Sequence, residues 1–349
     1  MSDTMNTNTK PNPADLLHID PAQTVEQITA AIRHQIHIQL RRKGAVLGLS
    51  GGIDSAVTAA LCARALGPQR VLGLLMPEED SDPHSTRLGQ LAAHSLGIET
   101  LLEDIAPILN AAGCYRRRDD AARLVVPDYG PGYKCKLILP DALSGAIYHI
   151  FWIAVEDPNG LQQRHRLPPA AYLGIVAATN MKQRTRKQLE YYHADRLNFA
   201  VAGTPNRLEY DQGFFVKNGD GAADLMPIAH LYKTQVYQLA DYLRVPDEIR
   251  NRPPTTDTYS LAQTQQEFYF SLPYHKLDLC LYALNHGLSP ADIAHAVALT
   301  PDQVQLIYRD IQGKRRATRY QHQHPLLVQP VPEIQNPHAD HPESQPIPH

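Results

Sequence analysis

The stretch most able to do chemistry is SGGIDS, residues 50–55, which stands where an apolar run meets the first turn of a helical pattern. Residues 45–49 read as a buried strand, and residues 56–66 carry apolar side chains at helical spacing, so a tight strand-to-helix turn lies between them. The first amides of a helix have no intrahelical partner and carry partial positive charge, and glycines let an anion come close to them. Gly48, Leu49, Ser50, Gly51, Gly52, Ile53, Asp54 and Ser55 are therefore candidates for a phosphate cradle. The pattern departs from the GxxxxGK[ST] loop, because no lysine follows the glycines and an aspartate stands in the turn instead. Asp54 has two readings here: a ligand for the Mg²⁺ that accompanies nucleotide phosphates, or a helix N-cap.

The elements that must position this turn alternate. RVLGLLMP (70–77) and IETLLEDI (98–105) read as further buried strands, with a helix over 85–96 between them. Strand and helix joined by short connections predict parallel βαβ units in a doubly wound α/β sheet, whose ligands bind beyond the carboxyl ends of the strands. From 115 to 167 the rhythm breaks into strand-rich pieces, DYGPGYKCKLILP (128–140) and AIYHIFWIAVEDPNG (146–160), separated by Gly and Pro turns and read as an insertion. A helix over 169–197 and the strand NFAVAG (198–203) follow. Helices over 233–243, 276–285, 290–297 and 301–312 close the same domain with a helical end.

Length and composition bound the rest. A chain of 349 residues buries a large core, and a formal charge of −3 does not favour a polyanion as partner. The four cysteines have no CxxC or metal-ligand spacing and read as reduced thiols, which fits a cytoplasmic protein. No stretch is apolar for long enough to span a bilayer, and the N-terminus lacks the pattern of a signal peptide. Residues 1–20 are expected to be flexible, 21–318 to form the domain, and 319–349, rich in Pro and His, to be a disordered tail.

Further motifs stand in order along the chain: NMKQRTR (180–186), GTPNRLE (203–209), FVKNGDGAADLMPIAHLYKTQV (215–236), RPPTTD (252–257) and GKRR (313–316). With SGGIDS, over roughly residues 25–316, this chain resembles the ammonia-dependent NAD synthetases, a branch of the ATP pyrophosphatases. The resemblance implies an adenine nucleotide α-hydrolase-like fold and a ligase that adenylates the carboxylate of deamido-NAD with ATP and then lets ammonia displace AMP. It implies that residues 48–55, with Thr204, Lys233 and Thr255, hold ATP, that Asp54 and Glu209 hold Mg²⁺, and that Asp54 and Lys233 are the catalytic pair. Asn180, Arg184, Lys217, Asp224 and Lys314 match positions that hold deamido-NAD. A homodimer is implied as well.

The chain departs from the family pattern at Gln183, Pro205, Arg207 and Gly313, which suggests a modified substrate pocket and keeps a related ligase acting on another carboxylate as the alternative. Only about 40 residues precede the first strand, too few for an amidase domain, so ammonia is expected from solution or from a separate amidase. A rival of another class comes from LSPADIAHAVALTPDQVQLIYRDI (288–311), which resembles a helix-turn-helix; the short basic run after it argues against nucleic acid as the main partner.

Overall fold

The computed structural model describes residues 15–138, 151–254, 258–261, 263–265, 269–270 and 272–331. The chain enters through α1 (Pro21–His34), which Asp20 caps by accepting from the amides of Ala22 and Gln23 at 2.9 and 3.1 Å. Val25, Ile28 and Ile32 form its buried stripe. β1 (Ala45–Gly48) leads through the glycine turn into α2 (Ile53–Leu66), an alanine-rich helix buried on nearly every side. β2 (Val71–Leu75), α3 (Pro83–Leu96), β3 (Glu99–Leu102), α4 (Ala106–Ala111) and α5 (Cys114–Arg123) follow.

A second, three-stranded sheet is made of β4 (Lys134–Ile138), β5 (Trp152–Glu156) and β6 (Gln162–Arg166), all antiparallel. It packs Cys135, Leu137, Ile153 and Val155 against Ala171 and Ile175 of α6 (Pro169–Leu197). β7 (Ala200–Val201) then completes the first sheet, followed by α7 (Arg207–Gln212), α8 (Lys233–Tyr242), α9 (Asp247–Arg250), α10 (Tyr274–Asn285), α11 (Pro290–Ile293) and α12 (Pro301–Thr318).

The main sheet has the order β3-β2-β1-β7 and every pairing is parallel. From β1 the chain moves outward to β2 and β3 on one side and returns to β7 on the other. The crevice beyond the carboxyl ends of β1 and β7 is thus the topological switch point, where open parallel sheets bind ligands. One apolar core joins α1, α2, α8 and the sheet, and another holds α10, α11 and α12 together. Ile293, Val304, Ile307 and Ile311 are buried in the latter, so the helix-turn-helix-like segment is the packed helical end of the domain.

The structure departs from the expectations in four places. The break in rhythm at 115 begins with a helix, α5, because Ala121 and Ala122 pack on the second sheet while Tyr115 and Cys114 pack under the first. β6, with the sequence QQRHR, carries no apolar alternation; it is a sheet-edge strand, where charged side chains are tolerated. Residues 15–20 are fastened to α8, since Gln238 Nε2 donates to Leu17 O at 2.9 Å and accepts, through Oε1, from Ile19 N at 3.1 Å. Residues 319–322 form a 3₁₀ turn after α12. Residues 1–14, 139–150 and 332–349, with parts of the expected flexible N-terminus, insertion and tail, lie outside the described residues.

Candidate active site

A cavity of about 420 Å³ opens at the switch point, walled by the glycine turn, the start of α3, one face of α6, the β7–α7 connection and residues 213–216 and 252–254. Gly48, Leu49, Ser50, Gly52, Ile53, Asp54 and Ser55 line it. Gly51 shapes the turn from behind: its φ is +73°, and a Cβ there would lie 2.5 Å from the carbonyl oxygen of Ser85. Ser55 Oγ donates to Gly52 O at 2.9 Å and lies 3.2 Å from Ser50 Oγ, which pins the turn. Gly52 is the N-cap of α2 and no side chain caps that helix, so its first amides point to the cavity end. Asp54 therefore sits in the first turn and is not the cap.

The charged centre is assembled by two helix starts. Asn206 caps α7 in a reciprocal box: its Oδ1 accepts from the amides of Leu208 (3.0 Å) and Glu209 (3.3 Å), while Glu209 Oε2 accepts from the Asn206 amide at 3.1 Å. The Asn206 Nδ2 also donates to Asp54 Oδ1 at 3.2 Å, so one asparagine joins both carboxylates. Lys233, the first residue of α8, is wholly buried and its ammonium pairs with Asp54 Oδ2. Asp278 holds that helix start by accepting from the amides of Lys233 and Thr234 at 3.3 and 2.7 Å; burial pushes its carboxyl up to about 6.

Burial, and next the Asp54 charge, push the Glu209 carboxyl up to about 8 despite the nearby ammonium of Lys233. Burial pulls the Lys233 ammonium down, but Asp54 and Glu209 outweigh it and leave the group above its ordinary range. Two carboxylates share one ammonium, and the cluster has room for more positive charge. Gln265 Nε2 donates to the remaining Glu209 oxygen, Oε1, at 3.0 Å.

Thr204, Glu209 and Asn180 line the cavity with the glycine turn, as a shared site requires. Arg184, Lys217, Asp224 and Lys314 are not brought to its wall. Arg184 Nε donates to Lys217 O at 3.2 Å, and the Lys217 ammonium donates to the carbonyls of Tyr320 and Gln323 at 2.9 and 3.0 Å. Asp224 accepts from Val201 N at 2.7 Å, and half-buried Lys314 donates to Tyr269 O at 2.7 Å and pairs with Asp310 at 2.8 Å. Thr255 lies outside the described residues.

The polar wall of α6 is instead made by Thr179, Asn180, Gln183, Arg186, Lys187 and Glu190. Their spacing of three and four residues is one helix face, from which Arg184 is turned by about 100° relative to Gln183. Lys187 and Glu190 form a buried pair at 2.5 Å, Arg186 donates to Met76 O at 3.1 Å, and Arg252 reaches Asp82 at 2.8 Å. Reading the helix period through NMKQRTRKQLE, and the N-x-x-E cap through NRLE, would have singled out this face and Asn206.

The chain is similar to known proteins over most of its length. The family model described as NAD synthase matches residues 24–125 and 162–325. The NH₃-dependent NAD⁺ synthetase of Rhizobium meliloti is 62% identical over 322 residues, 92% of this chain and 96% of that protein. Among solved structures, NMN synthetase from Francisella tularensis aligns with a TM-score of 0.62 at 21% identity, over 89% of this chain and 99% of that one. The NH₃-dependent NAD synthetase from Campylobacter jejuni aligns with a TM-score of 0.57 at 22% identity, over 89% and 100%. The two solved structures share the fold of this chain.

Proposed function

The chain belongs to the NAD synthase family, and on that premise we propose that it is a ligase converting deamido-NAD, ATP and ammonia to NAD, AMP and pyrophosphate. The observation that carries this reading is the convergence at one sheet switch point of an uncapped helix start, a positive-φ glycine turn and the Asp54–Asn206–Glu209–Lys233 cluster. A carboxylate oxygen of the substrate attacks the α-phosphorus of ATP, the bond from that phosphorus to the bridging oxygen breaks, and pyrophosphate leaves. Ammonia then attacks the acyl carbon, the carbon–oxygen bond to AMP breaks, and the new amide nitrogen sheds a proton. Nothing in this sequence requires a side-chain nucleophile, so the residues act by position and charge.

The amides at the start of α2 receive phosphate oxygens, Ser50 and Ser55 fix the turn that presents them, and Lys233 supplies a buried positive charge beside Asp54. Asp54 and Glu209 suit Mg²⁺, which takes one or two carboxylates and completes its shell with phosphate and water oxygens. The donor set supports that fit: two carboxylates joined through Asn206 share the neighbourhood of one ammonium, and burial first, then the Asp54 charge, raise the Glu209 carboxyl to about 8. Bound there, Mg²⁺ would offset the phosphate charge that develops as pyrophosphate leaves.

Among the described residues no helix is long and apolar enough to cross a membrane. A cytoplasmic homodimer, supplied with ammonia from solution or by a separate amidase, belongs to the same proposal.

The test is AMP release from the purified chain with ammonium and a panel of carboxylates that includes deamido-NAD. Deamido-NAD is expected to stimulate AMP release, with ammonium as sufficient nitrogen source and glutamine ineffective, and the rate should rise with pH through neutrality as more ammonia is unprotonated. Stimulation by another carboxylate and none by millimolar deamido-NAD would replace this reading with that of a related ligase.

A further inference from the structure

Residues 126–161 lie between the two stretches that the family model matches, and they contain β4 and β5 of the second sheet. We propose that this inserted sheet is a positioning device for the ATP end of the cavity, with Ser260 and Gln263 as the residues through which it acts. The proposal rests on the ligase reading for ATP as the occupant of that end of the cavity and for its kinetic readout.

The connection is a set of hydrogen bonds along one edge of β4. Cys135 N donates to Ser260 Oγ at 2.9 Å, Leu261 N donates to Cys135 O at 3.2 Å, and Gln263 Nε2 donates to Leu137 O at 2.7 Å. Cys135 and Leu137 are two residues apart, the period at which one strand edge presents its groups to a neighbour. The side chain of Tyr259 is buried in the same apolar cluster as Cys135, Leu137 and Ile153, which holds the segment by packing too. Thr258 and Tyr259, the residues just before these bonds, line the cavity.

A buried ammonium ties this wall to the opposite one. Lys182, 1% exposed, donates to Thr258 O at 2.8 Å and pairs with Glu78 at 3.0 Å and Asp80 at 2.6 Å. Arg118 of α5 pairs with Asp80 at 2.5 Å, and Tyr115 Oη donates to Glu78 Oε2 at 2.9 Å. Met76, Pro77 and Ser81, beside these carboxylates, line the cavity. Farther along the same connection Gln265 holds Glu209. The inserted sheet thus holds residues 258–261 and Gln263, between Thr258 on the Lys182 cluster and Gln265 on Glu209. Loosening it should cost ATP affinity before it costs the chemical step.

The experiment compares S260A, S260T and the double variant S260A/Q263L in the full chain. The expected result is a rise in the ATP KM of about tenfold for the double variant, with kcat within about threefold of the parent, since the lost hydrogen bonds loosen the wall and leave the charged centre in place. S260A should show part of that rise, and S260T, which keeps the hydroxyl, should stay near the parent. Hydrogen exchange at the Leu261 amide and calorimetric ATP binding are read in parallel; exchange should quicken and affinity fall together. Unchanged ATP affinity with faster exchange would overturn the proposal, and so would unchanged exchange in S260A. If the double variant fails to fold, S260A alone decides by the same two readouts. A parent enzyme inactive on deamido-NAD would defeat the functional reading, while exchange and ATP binding would still decide this one.

Discussion

Asp54→Asn should lower AMP formation by about a thousandfold or more while the chain stays folded. The asparagine keeps an oxygen for the Asn206 amide, so the turn and the α7 cap survive, but it removes the charge that pairs with Lys233 and that the proposed Mg²⁺ would need. The substitution has a second readout in stability against pH. Glu209 in the ligand-free protein is raised from 4.5 to about 8, first by burial and then by Asp54. The folded state therefore holds more protons than the unfolded one between those values, and stability falls as pH rises through that window. Without the Asp54 charge the raised pKa relaxes and the fall is shallower. Denaturation at pH 5 and pH 8 checks this: parent and variant should differ in slope, with the variant losing less. Parent-like AMP formation would remove the turn from the mechanism.

The second large effect belongs to Lys233→Met. The methionine fills the volume of a wholly buried side chain, yet it leaves Asp54 and Glu209 without their shared ammonium. Breaking a buried pair by removing one partner costs about 3–5 kcal/mol. At the usual conversion for a domain of this size that is a drop in Tm of roughly 5–8 °C. Activity should fall by at least about a thousandfold, because the buried positive charge near the phosphates goes with the side chain. The double variant D54N/K233M should be more stable than K233M alone, since the stranded Asp54 charge is then absent. Strict additivity in that cycle would show that the two groups do not act as a pair.

How far the site was legible depends on the range of the contacts that make it. The glycine turn is a local event: an apolar strand, a residue at positive φ and a helix start leave their marks within a dozen residues, and SGGIDS reads accordingly. The parallel sheet was legible for the same reason, because buried strands alternate with helices of ordinary length. The pairing of Asp54 with Lys233 spans 179 residues, and only the resemblance to a family connects such positions. The sequence does not single out Asn206, because a helix cap ordinarily has a structural role, whereas here the same side chain also reaches Asp54.

The basic residues were harder. Arg184, Lys217 and Lys314 match family positions, yet in this chain each donates to a backbone carbonyl, and the basic residues on the cavity wall are Arg186, Lys187 and Arg252. A cation reads the same in sequence whether it faces ligand or main chain; helix phase decides, and phase is set by packing. The second sheet was legible as strands but not as a brace, because the bonds from Cys135 and Leu137 to Ser260 and Gln263 cross more than a hundred residues.

On the proposed mechanism the substrate carboxylate attacks the α-phosphorus of ATP at the glycine turn. Isotope transfer tests this: deamido-NAD carrying heavy oxygen in its nicotinate carboxylate is turned over with ammonium, and the AMP and pyrophosphate formed are read by mass. One heavy oxygen is expected in the phosphate of AMP for each NAD made, and none in pyrophosphate. Heavy oxygen in pyrophosphate or free phosphate, or NAD formed with ADP as the nucleotide product, would contradict it.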